Sequence, residues 1–164
     1  MRTSFKLVLA LVASAVTATP AAAQLSDNID ATATVLAALS VTGDANLAFG
    51  NIAPSQSKVV GAAAGGHFAI SGATGSSVSF RFNSLPATLQ DPGLTLSSWT
   101  GLHRNTNTSA GATAFTPTAG ASESVTLDAT TGSYFVWIGA TLTAGGAVAP
   151  GSYTQPITLE VFYN

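Results

Sequence analysis

Cysteine is absent from the 164-residue chain, so disulfide staples, thiolate metal sites and thiol nucleophiles are all excluded. Charge is nearly as scarce. Asp, Glu, Lys and Arg make up 7% of the residues, against about 25% in an ordinary soluble domain. There are two histidines, His67 and His103, which is little material for a metal centre or a proton relay. No basic cluster exists to neutralise phosphates, so no nucleic-acid partner is expected. Past the first apolar stretch, no run approaches the roughly 20 apolar residues that a membrane-spanning helix needs. This composition points away from an enzyme and from any cofactor.

The first 23 residues have the layout of an export signal. Arg2 and Lys6 give a positive start, residues 7–16 supply a short apolar run, and Ala21-Ala22-Ala23 provides the small residues before a cleavage site. Cleavage is expected before Gln24, and the run is too short for an anchor. The remainder carries three basic residues (Lys58, Arg81, Arg104) against seven acidic ones. Its length suits one domain with a real core. The protein is expected to be exported, in transit through a periplasm, and then to reside at the cell surface or outside the cell.

What is plentiful is β-forming sequence. Short runs of Val, Ile, Thr, Phe, Tyr and Trp are punctuated by Gly, Asn, Asp, Pro and Ser. Strands are predicted over 29–42, 46–52, 58–60, 67–71, 77–83, 94–99, 124–128, 134–143 and 152–163. Alternation is plain in 77–83, where Val78, Phe80 and Phe82 share one face and Ser77, Ser79, Arg81 and Asn83 the other. Many short strands at such spacing indicate an all-β sandwich or barrel. The polar, low-complexity stretch 103–120 is expected to be a long surface loop or hairpin, with His103 and Arg104 solvated at its head.

The two ends carry the most information. In the last segment Tyr153, Ile157, Leu159, Val161 and Tyr163 alternate on one face, with Thr154, Thr158 and Glu160 opposite. Pro156 cannot donate to a ladder, so the strand is an edge or is bulged there. It is either an ordinary last strand or an edge kept open for a strand from another chain. Near the other end, Ile29, Ala31, Ala33 and Val35 share one face of a segment of small apolar residues. That segment is either the first strand of its own domain or a donor that fills a slot elsewhere.

Other motifs are weak. No Gly-x-Ser-x-Gly elbow occurs, the glycine-rich 61–66 lacks the Lys-Ser/Thr end of a phosphate loop, and the carboxylates are too scattered for calcium. Trp137 lies in an unbroken apolar run and reads as core. Trp99 ends a strand beside the long loop and is the candidate for an exposed ligand contact, which would suit a carbohydrate-binding module.

The C-terminal pattern resembles that of chaperone–usher pilus subunits, with Tyr163 penultimate and Gly151 the fourteenth residue from the end. The wider chain resembles the DUF4402 family of secreted, pilin-like and spore-coat-U-like bacterial proteins. The stretches that carry this are Leu39-Ser-Val-Thr-Gly, Asn46-Leu-Ala-Phe-Gly-Asn-Ile52, Phe68-Ala-Ile-Ser-Gly72, Ile138-Gly-Ala-Thr-Leu-Thr143, and Gly151-Ser-Tyr153 through Val161-Phe-Tyr163. The resemblance implies an immunoglobulin-like sandwich over residues 36–164, incomplete and completed by a donor strand. It implies a structural subunit of a surface fibre (pilus or fimbria) used in cell adhesion, with like subunits, a periplasmic chaperone and an outer-membrane usher as partners. Gly151, Tyr153, Ile157, Leu159, Val161 and Tyr163 would then border the groove and meet the chaperone. Ile29, Ala31, Ala33 and Val35, within 24–35, would be the donor residues. The alternative is a self-complete secreted sandwich acting as a coat, matrix or carbohydrate-binding module.

Overall fold

A computed structural model describes residues 27–164. The export signal and its cleavage point, along with the first residues of the candidate donor segment, lie outside the described residues. The chain divides into two units, with the boundary between Thr34 and Val35. In the first, residues 27–34 hold no regular secondary structure and their side chains are exposed, Ile29 at 97%.

The second unit is all β. Ten strands make two antiparallel sheets: β1 (Ser40–Ala45), β2 (Ser57–Val60), β3 (Gly66–Ser71), β4 (Ser77–Phe82), β5 (Thr88–Leu89), β6 (Asp91–Arg104), β7 (Thr113–Phe115), β8 (Ser122–Thr126), β9 (Ser133–Ala144) and β10 (Leu159–Tyr163). The larger sheet runs β1-β3-β9-β6-β5, with β2 also on β9 and β7 on β6. The smaller sheet runs β10-β4-β8. Among the described residues no helix is long and apolar enough to cross a membrane.

Inward-facing residues follow the strand period. In β9 the alternate residues Tyr134, Val136, Ile138, Ala140, Leu142 and Ala144 are all buried. In β4, Val78, Phe80 and Phe82 are at most 2% exposed. These inward rows meet between the sheets with Ile70, Leu127 and Leu159 as the main core, the arrangement expected of a packed sandwich.

A bulge in β6 decides which way half of that strand faces. Its register against β9 slips between Ser97 and Thr100, and Ser98 takes a left-handed φ of 51°. Before the slip, Leu94 and Leu96 point inward; after it, Trp99, Gly101 and His103 do. The extra residue reverses the alternation. Leu102, which unbroken alternation would bury, pairs with Trp137 on the outer face.

Glycine allows one crossing that no other residue could. A Cβ on Gly139 would lie 2.3 Å from the Val60 carbonyl oxygen and 2.4 Å from the Ala62 nitrogen. Its absence lets the chain leave β2 and cross over β9 into the 3-10 turn Ala62–Ala64.

Three expectations need correction. Residues 46–52 join no ladder. The last strand is only Leu159–Tyr163, because 152–158 are extended past Pro156 without a partner strand. The strand expected over 29–42 is only Ser40–Ala45, residues 29–39 joining no ladder. Stretch 103–120, by contrast, takes the hairpin form, one of the two expected, with Gly101 opposite Phe115 and His103 opposite Thr113.

Candidate functional site: an open groove between two unpaired segments

The second core cluster has no strand of the smaller sheet over it. Phe49, Leu94, Leu96, Ala140, Leu142 and Ala144 form it, and Leu47, Ile52, Val148 and Tyr153 pack at its margin. Residues of β4, β8 and β10 belong to the other cluster. This part of the larger sheet's inner face is covered mainly by the segment after β1 and the segment before β10.

Between those segments lies a groove of about 1020 Å³. Its floor is Phe68, Leu94, Ile138, Leu142 and Ala144. One wall is Gly43 to Ile52, with Leu47 and Phe49 turned in, and the other runs from Val148 to Ile157. Beyond the end of β1 at Ala45, the walls belong to no ladder. Among the described residues, no backbone–backbone hydrogen bond involves 47–52 or 146–157. Only side chains reach them: Gln90 Oε1 accepts from Thr154 N at 2.9 Å, Tyr153 Oη donates to Ala149 O at 2.7 Å, and Lys58 Nζ donates to Asn51 O at 3.5 Å. The two segments thus face each other across an apolar floor with few hydrogen-bond partners among the described residues.

The six residues expected along the groove edge divide. Gly151, Tyr153 and Ile157 line the groove. Leu159, Val161 and Tyr163 belong to β10, where they pair with Phe82, Phe80 and Val78 of β4. Leu159 is 4% exposed, and Val161 and Tyr163 pack on the main core. The Tyr163 hydroxyl accepts from Ala73 N at 2.7 Å and donates to Ala37 O at 2.8 Å, tying the end of β10 to the chain ahead of β1. The other edge of β10 pairs with no strand among the described residues. Outside the strand face, Glu160 takes two hydrogen bonds from Arg81, at 3.0 and 2.9 Å, and one from Asn83. These bonds, with Asn83 foremost, hold its carboxyl below the usual carboxylate range.

Of the candidate donor residues, Ile29, Ala31 and Ala33 are exposed in the first unit, and Val35, 94% exposed, opens the second. Trp137 is 7% exposed. Trp99 is half-buried against both core clusters, beside the β6 bulge, and is not among the groove-lining residues.

Both histidines occupy structured positions. His103, expected in solvent, is half-buried against the main core. Its Nδ1 is 2.7 Å from the Tyr134 hydroxyl, and the Phe80 and Phe115 rings meet it edge-on. Burial lowers its pKa, with Glu123 pulling weakly the other way. His67, on the outer face, stacks on Trp137 at 4.8 Å between ring centres and on Phe135 at 5.7 Å. Its Nδ1 lies 3.3 Å from Asp44 Oδ2. Among the described residues, no group of three or more His, Asp or Glu side chains is placed to hold a metal ion.

Sequence reasoning does not identify the wall 46–52 and the His67–Asp44 pair as parts of one site. Leu47 and Phe49 do alternate, which is the signal that was legible. No family model, curated protein or solved structure matches the chain.

Proposed function

We propose that this chain is a structural subunit of a bacterial cell-surface fibre, assembled by donor-strand exchange between like copies. The groove carries the reading: an apolar floor bounded by two extended segments whose peptide groups have no backbone partners among the described residues. Insertion of a strand there would complete the second core cluster and give both walls a ladder. At about 25 cal/mol per Å² of apolar surface, four alternating side chains contribute several kcal/mol, and the ladder adds to this.

Residues Ile29, Ala31, Ala33 and Val35 of a neighbouring copy supply the donor. They alternate, they are small to medium in size, and they stand exposed at the head of the described chain. A periplasmic chaperone would hold the groove before assembly, and an outer-membrane usher would conduct the exchange. The likeness of the C-terminal segment to pilus subunits supports both partners. The exchange needs no nucleotide and no catalytic side chain.

The test is a denaturing gel of protein recovered from the cell surface, with and without boiling. A ladder that collapses to monomer only on boiling is expected of locked strand exchange. A single monomer band without boiling overturns the proposal.

A further inference from the structure

The groove wall starts at a bulge, and a histidine lies against the bulged residue. β1 pairs with β3 in regular register up to Gly43 opposite Phe68, then slips, so that Ala45 faces His67 and Asp44 is the extra residue. Such a bulge bends its strand and re-aims the residues after it. Here those residues form the wall that includes Leu47 and Phe49.

Among the described residues Asp44 has one side-chain partner, His67 Nδ1 at 3.3 Å. The His67 side chain is 11% exposed and lies flat against Trp137. Its other nitrogen, Nε2, is fully buried and has no hydrogen-bond partner among the described residues. A neutral ring with its proton on Nδ1, the nitrogen that faces Asp44 Oδ2, leaves a bare lone pair at Nε2, a modest penalty. The protonated ring would leave a buried, unpartnered N–H on a cation, which is far more costly.

We propose that the His67–Asp44 pair is an acid-released latch on the groove wall, keeping residues 45–52 in place while His67 is neutral and freeing them when it takes up a proton. The inference concerns regulation of the groove and rests on reading that groove as a peptide slot.

The charges around the ring are few. Asp44 of β1 faces it and favours the proton. β9 contributes the Phe135 and Trp137 rings, which do not titrate, although the Trp137 face also favours a cation. The 3-10 turn is all alanine. Arg104 of β6, opposite Phe135, turns its guanidinium to the Ala110 carbonyl, and Lys58 of β2 extends to Asn51. Burial outweighs Asp44 and lowers the pKa of His67. The latched form therefore binds the proton less readily than an open form with an ordinary value near 6.5. Latching is complete above that pH and weakens as pH falls below it, by up to about tenfold per pH unit for one proton.

The experiment measures hydrogen-exchange protection of amides 45–52 in the exported chain at low micromolar concentration, at pH 7.5, 6.5, 5.5 and 5.0. Binding of a labelled peptide of residues 24–36 is measured in parallel. Protection of the wall is expected to fall several-fold between pH 6.5 and 5.5, and peptide affinity should change over the same interval. H67Q, which can still donate to Asp44 but does not titrate, should abolish the pH response. D44N should open the wall further at each acidic pH, and H103Q should leave the wall's response in place. Wall protection that ignores pH in the wild type, or an unchanged response in H67Q, overturns the latch. If the wall responds but the peptide binds at no pH, the latch stands and the strand-exchange reading falls.

Discussion

Single residues settle which way this sandwich faces, and His103 is the clearest case. By alternation from Leu94 and Leu96, position 103 belongs outside and Leu102 inside. The left-handed Ser98 inserts one residue and exchanges them. The imidazole then packs half-buried against Tyr134, Phe80 and Phe115, and desolvation lowers its pKa. Because its folded pKa lies below the unfolded value, the unfolded chain binds more protons in acid. The stability from neutral burial is present above about pH 6.5 and declines as pH falls below it. His67 shifts in the same direction, so two protons share the acid slope. H103F combined with Y134F fills the space without leaving a lone hydroxyl. It should reduce the loss of stability between pH 6.5 and 5.5, read as melting temperature against pH; an unchanged slope would remove His103 from the account. Gly139 is a second decisive position. G139A drives a methyl into the Val60 and Ala62 backbone and should cost about 1–3 kcal/mol in chemical denaturation.

Elements show what a β pattern does and does not record. β3 and β9 were legible because their short runs are rich in β-branched and aromatic residues, and β4 because a buried face writes itself as period 2. Residues 46–52 and 152–158 carry the same pattern for the same reason, since Leu47, Phe49, Tyr153 and Ile157 face an apolar floor. Alternation reports where side chains go, not whether a neighbouring backbone is present. The pattern therefore predicts strands in two segments that have the side-chain arrangement of strands but no ladder, and that mismatch defines the groove. For the β6–β7 stretch the sequence left loop and hairpin open and hid the register, because its small polar residues carry little pattern and the register depends on a bulge. L142A belongs to this scale. Leu142 sits in the groove floor at 2% exposure, and its truncation should cost about 2–5 kcal/mol in chemical denaturation. On the proposed reading, a bound donor peptide should recover part of that loss only where it fills the space above position 142.

For the whole molecule, the division of the core into two clusters is the feature with consequences. The main cluster is closed by two sheets and by the Tyr163 tie to Ala37 and Ala73. The second relies on one sheet and two unladdered segments. A chain lacking residues 24–35 keeps both sheets and every residue of the main cluster. It should fold as a monomer, accept a donor at its own groove, and offer none in return. Mixed with the intact chain, it is expected to end growing fibres and shorten the gel ladder in proportion to its share, without blocking the first addition. Unfolding of the truncated monomer, judged by loss of its cooperative thermal transition, would mean that 24–35 is a strand of its own domain. The groove would then be a ligand cleft, not a seat for a neighbour.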